Sequence, residues 1–216
     1  LFGVTFDVWW QLSVIKEEVA ILITGVVIKL MDDWLDKDRD LCSGKKTLAA
    51  RLNGGLLPYT LVLLALAMAM APGLSLSLFL GTYVTGMMGE PGRRLPTGLG
   101  SGPESILVLL LGVIGSGWWE QISSLLLMVF IQAADDLLDA GVDMNAAAGR
   151  VNLALRWGRA EAGLVAAICL LASFLLDWRK TLAVAFCAPA VLGLLGIWER
   201  ENHGVGPDSE PLRGDG

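Results

Sequence analysis

The sequence predicts an all-α protein, a polytopic membrane helix bundle of about seven transmembrane helices in two pseudo-repeats. Three observations predict it. Hydrophobic residues make up 54 % of the 216 residues and charged residues 18 %, against roughly 25 % charged in an ordinary soluble domain. Residues 52–89 hold no Asp, Glu, Lys or Arg; a soluble surface does not tolerate such a run, whereas two membrane-crossing helices require it. The basic residues, finally, sort onto one side of a chain that alternates across a membrane. Lys37, Arg39, Lys45, Lys46, Arg51, Arg93, Arg94, Arg150, Arg156, Arg159, Arg200 and Arg213 fall on one side, Arg179 and Lys180 on the other, and Lys16 and Lys29 within the first helix. That asymmetry makes the twelve-residue side cytoplasmic.

Taken in order, the first apolar segment covers 12–35, interrupted by Lys16, Glu17, Glu18 and Lys29. The second is 56–71, which Pro72-Gly73 ends, since proline cannot continue a helix and glycine relaxes it. The third is 74–89. A loop rich in Gly and Pro follows at 90–104, then segments at 105–119, 121–138, 162–176 and 181–198. Several uncharged runs fall short of the ~20 residues a bilayer core asks for, and flanking charged turns that snorkel extend them. Trp9-Trp10 and Trp118-Trp119 suit an aromatic interfacial belt. The expected organisation is one transmembrane domain over 1–198, with pseudo-repeats at 12–90 and 120–198 joined by the helix 105–119, and a polar tail at 199–216.

Composition excludes several classes. A formal charge of −6 gives no positive field for phosphate backbones, so nucleic acid is not an expected partner. High hydrophobicity excludes a disordered chain. Cys42, Cys169 and Cys187 offer no disulfide framework or C-x-x-C spacing. The one histidine, His203, sits in the polar tail, so histidine catalysis and a His-ligated zinc are not expected. No basic stretch precedes a short apolar one, so no signal peptide is expected.

Chemistry concentrates at two helix ends. The first segment ends in Asp32-Asp33-Trp34-Leu35-Asp36, continuing to Asp40; the fifth ends in Asp135-Asp136-Leu137-Leu138-Asp139, continuing to Asp143. Asp33, Asp36 and Asp40, and again Asp136, Asp139 and Asp143, are spaced i, i+3, i+7, which places each trio on one helix face. A shift of 103 positions superposes the two motifs and also aligns Glu17 with Glu120. Four crossings separate the two helices, so both acidic ends lie on the same, cytoplasmic side. Two carboxylate stripes facing one another need cations between them. Mg²⁺ takes oxygen ligands from one or two carboxylates plus substrate phosphates, so the cleft suits Mg²⁺ and, through it, a diphosphate. Lys29 stands one turn before Asp33, and Lys45, Lys46, Arg93, Arg94 and Arg150 lie in loops on that side; they are the candidate diphosphate clamp. Snorkelling is the competing role for Lys29, and topology for the Arg pair. An apolar bundle beneath a charged head site suits an isoprenoid diphosphate. Trp34, Tyr59, Tyr83 and Trp157 are candidates to border the cavity, where their π faces stabilise a carbocation; core or interface packing is their competing role.

At these residues the chain resembles the UbiA superfamily of intramembrane prenyltransferases, whose first motif reads N-D-x-x-D-x-x-x-D and whose second reads D-x-x-D-x-x-x-D. Here Asp32 replaces the leading Asn, and Gly44-Lys45-Lys46-Thr47-Leu48 is similar to the segment that often follows the family's second motif. The resemblance covers about residues 12–198. It implies that Asp33, Asp36, Asp136 and Asp139 are catalytic, and that with Asp32, Asp40 and Asp143 they coordinate two Mg²⁺ ions gripping the substrate diphosphate. It also implies one further helix at each end of the family fold, with residues 1–11 a remnant of what precedes. The expected activity is Mg²⁺-dependent ionisation of an allylic isoprenoid diphosphate and prenyl transfer to an aromatic or lipid-alcohol acceptor. A terpene cyclase of the same superfamily, using the substrate's own double bond, is the alternative. Non-enzyme alternatives are a membrane transporter, whose charges sit nearer the midplane, and a bundle that binds lipid diphosphates without turnover. A soluble isoprenyl diphosphate synthase also carries paired D-D-x-x-D helices, but the uncharged run and the basic asymmetry argue against it.

Overall fold

The computed structural model describes residues 2–35, 37, 55–88, 97–143 and 152–203. These residues form eight helices: α1 Phe2–Leu35, α2 Leu56–Met70, α3 Pro72–Met88, α4 Ser101–Ser116, α5 Trp118–Asp143, α6 Leu153–Trp157, α7 Arg159–Leu176 and α8 Trp178–His203. The all-α expectation is borne out, and six of the seven apolar segments fall on a single helix to within a residue; the helix expected at 105–119 instead ends at Ser116, because Gly117 turns the chain at a positive φ and Trp118-Trp119 open the next helix. Two further differences stand out. α1 begins ten residues before the segment expected at 12–35, because residues 2–11 hold no proline to stop a helix. α8 likewise continues through the polar residues 199–203; residues 204–216 lie outside the described ones. α6 has no counterpart among the apolar segments.

The connections are short. Single residues join α2 to α3 (Ala71), α4 to α5 (Gly117), α6 to α7 (Gly158) and α7 to α8 (Asp177). Pro72 occupies the first helical position of α3, where its missing N–H costs nothing. Gly117 and Gly158 adopt φ of +93° and +111°, values that side-chain-bearing residues rarely take. At all four of these corners, Gly158 included, the residue closes the preceding helix and its carbonyl opens the next: Gly117 N–H donates to Val113 O at 2.9 Å and Gln121 N–H to Gly117 O at 3.0 Å. Ala71 and Asp177 repeat the arrangement.

α1, α3, α5 and α8 meet at the centre, where Ile21, Leu78, Leu127, Met128 and Val184 form the main core cluster. α2 lies along α1, α7 along α5, and α4 against α3 and α5. The pairing is reciprocal: α1 packs on α8, and α5 packs on α3. Residues from Ala71–Pro72, Ser116 and Asp177–Trp178 line one pocket together with Val14 and Glu17 of α1, so three of the corners share one end of the bundle. Asp33 lies 16 residues beyond Glu17 on α1 and Asp136 16 beyond Glu120 of α5, which also lines that pocket, about 24 Å at 1.5 Å per residue, at the opposite end.

Polarity is distributed inside out. Thr24, Ser75, Ser77, Ser123, Ser124, Ser173 and Thr181 are buried, while Leu164, Ile168, Leu171 and Leu175 form an exposed stripe along α7 and Ile106, Leu110 and Ile114 another along α4. Water does not tolerate such a surface. Lipid does, and helices in lipid associate through small residues and interhelical hydrogen bonds because burial of apolar area drives nothing there. Ser173 Oγ donates to Ser123 O at 3.1 Å, and Ser77 and Ser124 hydroxyls pair at 2.8 Å. Among the described residues, three helical stretches are long and apolar enough to cross a membrane: Trp118–Leu138, Arg159–Leu176 and Trp178–Leu195. α2 and α4 are shorter apolar helices.

Candidate functional site

The acidic end is built from the last turns of α1 and the matching stretch of α5. Leu30 is buried against Leu56 of α2, with Val26, Trp34 and Leu63 packed around them. That contact fixes the rotation of α1 and turns the next face inward, so Asp33 is buried at 7 % exposure while Asp32 stays exposed. Lys29 Nζ lies 2.8 Å from Asp33 Oδ1 and 3.9 Å from Asp32 Oδ2. Asp135 of α5 also lies within electrostatic reach of Lys29. The lysine therefore lies within the field of a second-motif carboxylate as well as beside those of its own helix.

Asp136 is held differently. It is 6 % exposed, and its Oδ2 accepts the backbone N–H of Leu153 at 2.8 Å. Gln132 Nε2 donates to its Oδ1 at 3.4 Å. Asn152 Nδ2 donates to the Asp136 carbonyl at 2.9 Å, while Asn152 Oδ1 caps α6 by accepting from Ala154 N–H at 2.9 Å and Leu155 N–H at 3.2 Å. Buried at 3 % exposure, Asn152 ties α6 to the second motif. Ala140, Ala154 and Ala162 pack beneath this junction. Sequence reasoning passed over Asn152; its signal was an N-cap residue followed by four residues of good helix formers and a glycine at 158.

Other expected site residues divide three ways. Asp36, Asp40, Lys45, Lys46, Arg93, Arg94 and Arg150 lie outside the described residues, as do the side chains of Asp139 and Asp143, which belong to α5. Trp34 packs on the α1–α2 contact. Tyr59 is 62 % and Trp157 55 % exposed. Tyr83 donates its hydroxyl to Glu104 Oε1 at 2.5 Å, and Thr97 Oγ1 donates to Glu104 Oε2 at 2.6 Å. This cluster joins α3 to the start of α4. The four aromatic residues do not gather around a common cavity among the described residues.

The donor set suits Mg²⁺ in kind. Asp32, Asp33, Asp135 and Asp136 offer hard carboxylate oxygens, and one or two carboxylates per ion suffice when substrate phosphates complete the shell. No three potential ligands converge among the described residues, and Lys29 and the Leu153 N–H already engage Asp33 and Asp136.

A second polar centre lies at the corner end. Lys180 of α8 is buried at 4 % exposure. Its Nζ donates to Glu120 Oε1 at 2.8 Å, Glu120 O at 3.2 Å, Ser124 Oγ at 3.1 Å and the Ser123 hydroxyl. Ser77 Oγ donates to the same Glu120 Oε1 at 3.3 Å. Beside it, Arg179 Nη2 lies 3.9 Å from Glu17 Oε2. Glu17 and Glu120, the pair aligned by the 103-residue shift, thus meet consecutive cations of α8. A charge this deep in a bundle persists only when paired and hydrogen-bonded. Comparisons with protein-family models, with curated proteins and with solved structures return no match.

Proposed function

We propose that the chain is an intramembrane, Mg²⁺-dependent prenyltransferase of the UbiA type, ionising an allylic isoprenoid diphosphate at the acidic end and passing the prenyl group to an aromatic or lipid-alcohol acceptor. The observation that carries this reading is Lys29, paired with Asp33 of α1 and within the field of Asp135 of α5, at one end of an inside-out helix bundle. The reciprocal α1–α8 and α5–α3 contacts support the pseudo-repeat, with α1, α2 and α3 equivalent to α5, α7 and α8. Repeats of this kind put two matched acidic helices on the same side, which is the side bearing the twelve basic residues and is assigned to the cytoplasm.

Asp32, Asp33 and Asp136, together with Asp36, Asp40, Asp139 and Asp143 from the same motifs, would hold two Mg²⁺ ions. When bound, Mg²⁺ neutralises charge on a leaving diphosphate and so lowers the barrier to its departure. Lys29, beside Asp33, would present an ammonium to the phosphate oxygens, and Lys45, Lys46, Arg93, Arg94 and Arg150 would extend the clamp. In the substrate, the allylic C–O bond breaks with its electron pair leaving on the diphosphate. The acceptor's oxygen or ring carbon then forms the new bond to the allylic carbon and releases a proton. Apolar helix faces below the site keep water from intercepting the cation.

The test is a product assay on detergent-purified protein with C10, C15 and C20 allylic diphosphates and Mg²⁺, with and without aromatic or lipid-alcohol acceptors. Diphosphate release and organic extracts are followed by mass spectrometry. Prenylated acceptor formed only when acceptor is present, and lost with EDTA, is the expected result. A cyclic product without acceptor makes the chain a cyclase using the same site, and absence of diphosphate release in every mixture overturns the enzymatic reading.

A further inference from the structure

The pocket at the corner end plays no part in the chemistry proposed above. Its volume is about 760 Å³, within the roughly 300–1,000 Å³ range of ligand sites. It opens between α1 and α8, with apolar walls that include Ile21, Leu182 and Phe186. Its charges have both signs but do not balance. Lys180 is closed off by Glu120 and the serines, and Arg179 is drawn to Glu17. Among the described residues, Asp177 receives the backbone N–H of Lys180 on its Oδ1, at 3.0 Å, and forms no ion pair. Glu18 lines the same pocket and forms no ion pair among the described residues. Four carboxylates therefore face two cations, both of them engaged, while Trp178 stands at the rim 58 % exposed. An anionic head meets repulsion from Glu18 and Asp177. A cationic head meets a carboxylate and an indole face, which attracts ammonium groups. The apolar walls call for a tail, and the corners between membrane helices put the mouth at head-group depth.

We propose that this pocket binds an amphiphile with an ammonium head and an apolar tail, its nitrogen between Glu18 and Trp178 and its tail along Leu182 and Phe186. An ethanolamine-headed phospholipid and a simple alkylammonium share this chemistry. The test uses the full chain in detergent, incubated with equal amounts of phosphatidylethanolamine and phosphatidylglycerol of identical acyl chains and read by native mass spectrometry. The ethanolamine lipid is expected to be retained about tenfold over the glycerol lipid, a difference of about 1.4 kcal/mol. Glu18→Gln, at an exposed residue that folding does not need, brings the two to near parity, and Leu164→Ala on the outer face of α7 leaves the preference in place. Competition by dodecyltrimethylammonium locates recognition in the ammonium alone; a Glu18-dependent preference without such competition assigns the phospholipid as its source. Equal retention of the two lipids, displacement by dodecyl sulfate, or a preference unmoved by Glu18→Gln overturns the proposal.

Discussion

Asp33 and Asp136 occupy matching places in the two motifs, yet their surroundings give them different roles in stability. Asp33 faces a side-chain cation that can move away, so Asp33→Asn is expected to cut diphosphate release by at least about a hundredfold, the scale of a lost electrostatic contact in a catalytic site, with little change in thermal unfolding. Asp136 anchors the Leu153 N–H. Asp136→Ala is expected to abolish turnover and also to destabilise the fold by about 1.5–3 kcal/mol, the value of a hydrogen bond to a charged group, read as a lower unfolding midpoint in detergent. Lys29 makes a sharper test. Removing its charge from between carboxylates favours a divalent cation, so Lys29→Gln is expected to bind Mn²⁺ about tenfold more tightly by paramagnetic resonance titration while its KM for the diphosphate rises. Unchanged Mn²⁺ affinity would sink the placement of Lys29 within the metal cleft. The helical setting of Asp33 and Asp136 was legible, because each ends a long apolar run; the shared face of the i, i+3, i+7 trios rests on residues and side chains outside the described ones. The burial of Lys180 was not legible. In the sequence it is one of two basic residues on the sparse side, and only the packing of α8 against α5 brings it to Glu120.

At the scale of elements, long helices were legible and short ones were not. A segment such as 162–176 declares itself by an unbroken apolar run, and α7 contains it. α6 has five residues, too few for a period to repeat, and exists because Asn152 caps it and Asp136 receives its first N–H. Asn152→Ala is therefore expected to destabilise the protein by about 1–2 kcal/mol, the value of an N-cap, and to lower turnover more than Leu164→Ala does, since the Asp136 carboxylate loses its tether. Hydrogen exchange confined to 152–157 would locate the loss; a variant with native stability and native exchange there would contradict the capping role. The boundaries of α1 and α8 were missed for the opposite reason. Apolar content marks where a membrane begins and ends, whereas a helix continues into polar sequence until proline, glycine or a competing side-chain hydrogen bond stops it.

For the whole molecule the governing fact is the exchange of inside and outside polarity. Hydroxyl side chains line the contacts among α1, α3, α5 and α8 and leucines face outward on α4 and α7, a distribution that suits close packing and interhelical hydrogen bonds in lipid. The proposed orientation, with the acidic end toward the cytoplasm, rests on charge. By sequence, twelve basic residues are expected on the acidic-motif side and two on the other, and of those two Lys180 is buried against Glu120 while Arg179 lies 3.9 Å from Glu17. Sidedness can be read directly. In a cysteine-free background made by replacing Cys42, Cys169 and Cys187 with serine, Trp118→Cys at the corner end and Trp157→Cys at the acidic end are each exposed, at 57 % and 55 % for the native side chains. A membrane-impermeant maleimide added to intact expressing cells is expected to label residue 118 and to reach residue 157 only after permeabilisation. Labelling of 157 alone would invert the orientation and overturn the cytoplasmic placement of the proposed diphosphate site expected from the charge asymmetry. Labelling of both from outside would mean that the two positions share a side, which the separation of the corners from the carboxylates along α5 does not permit.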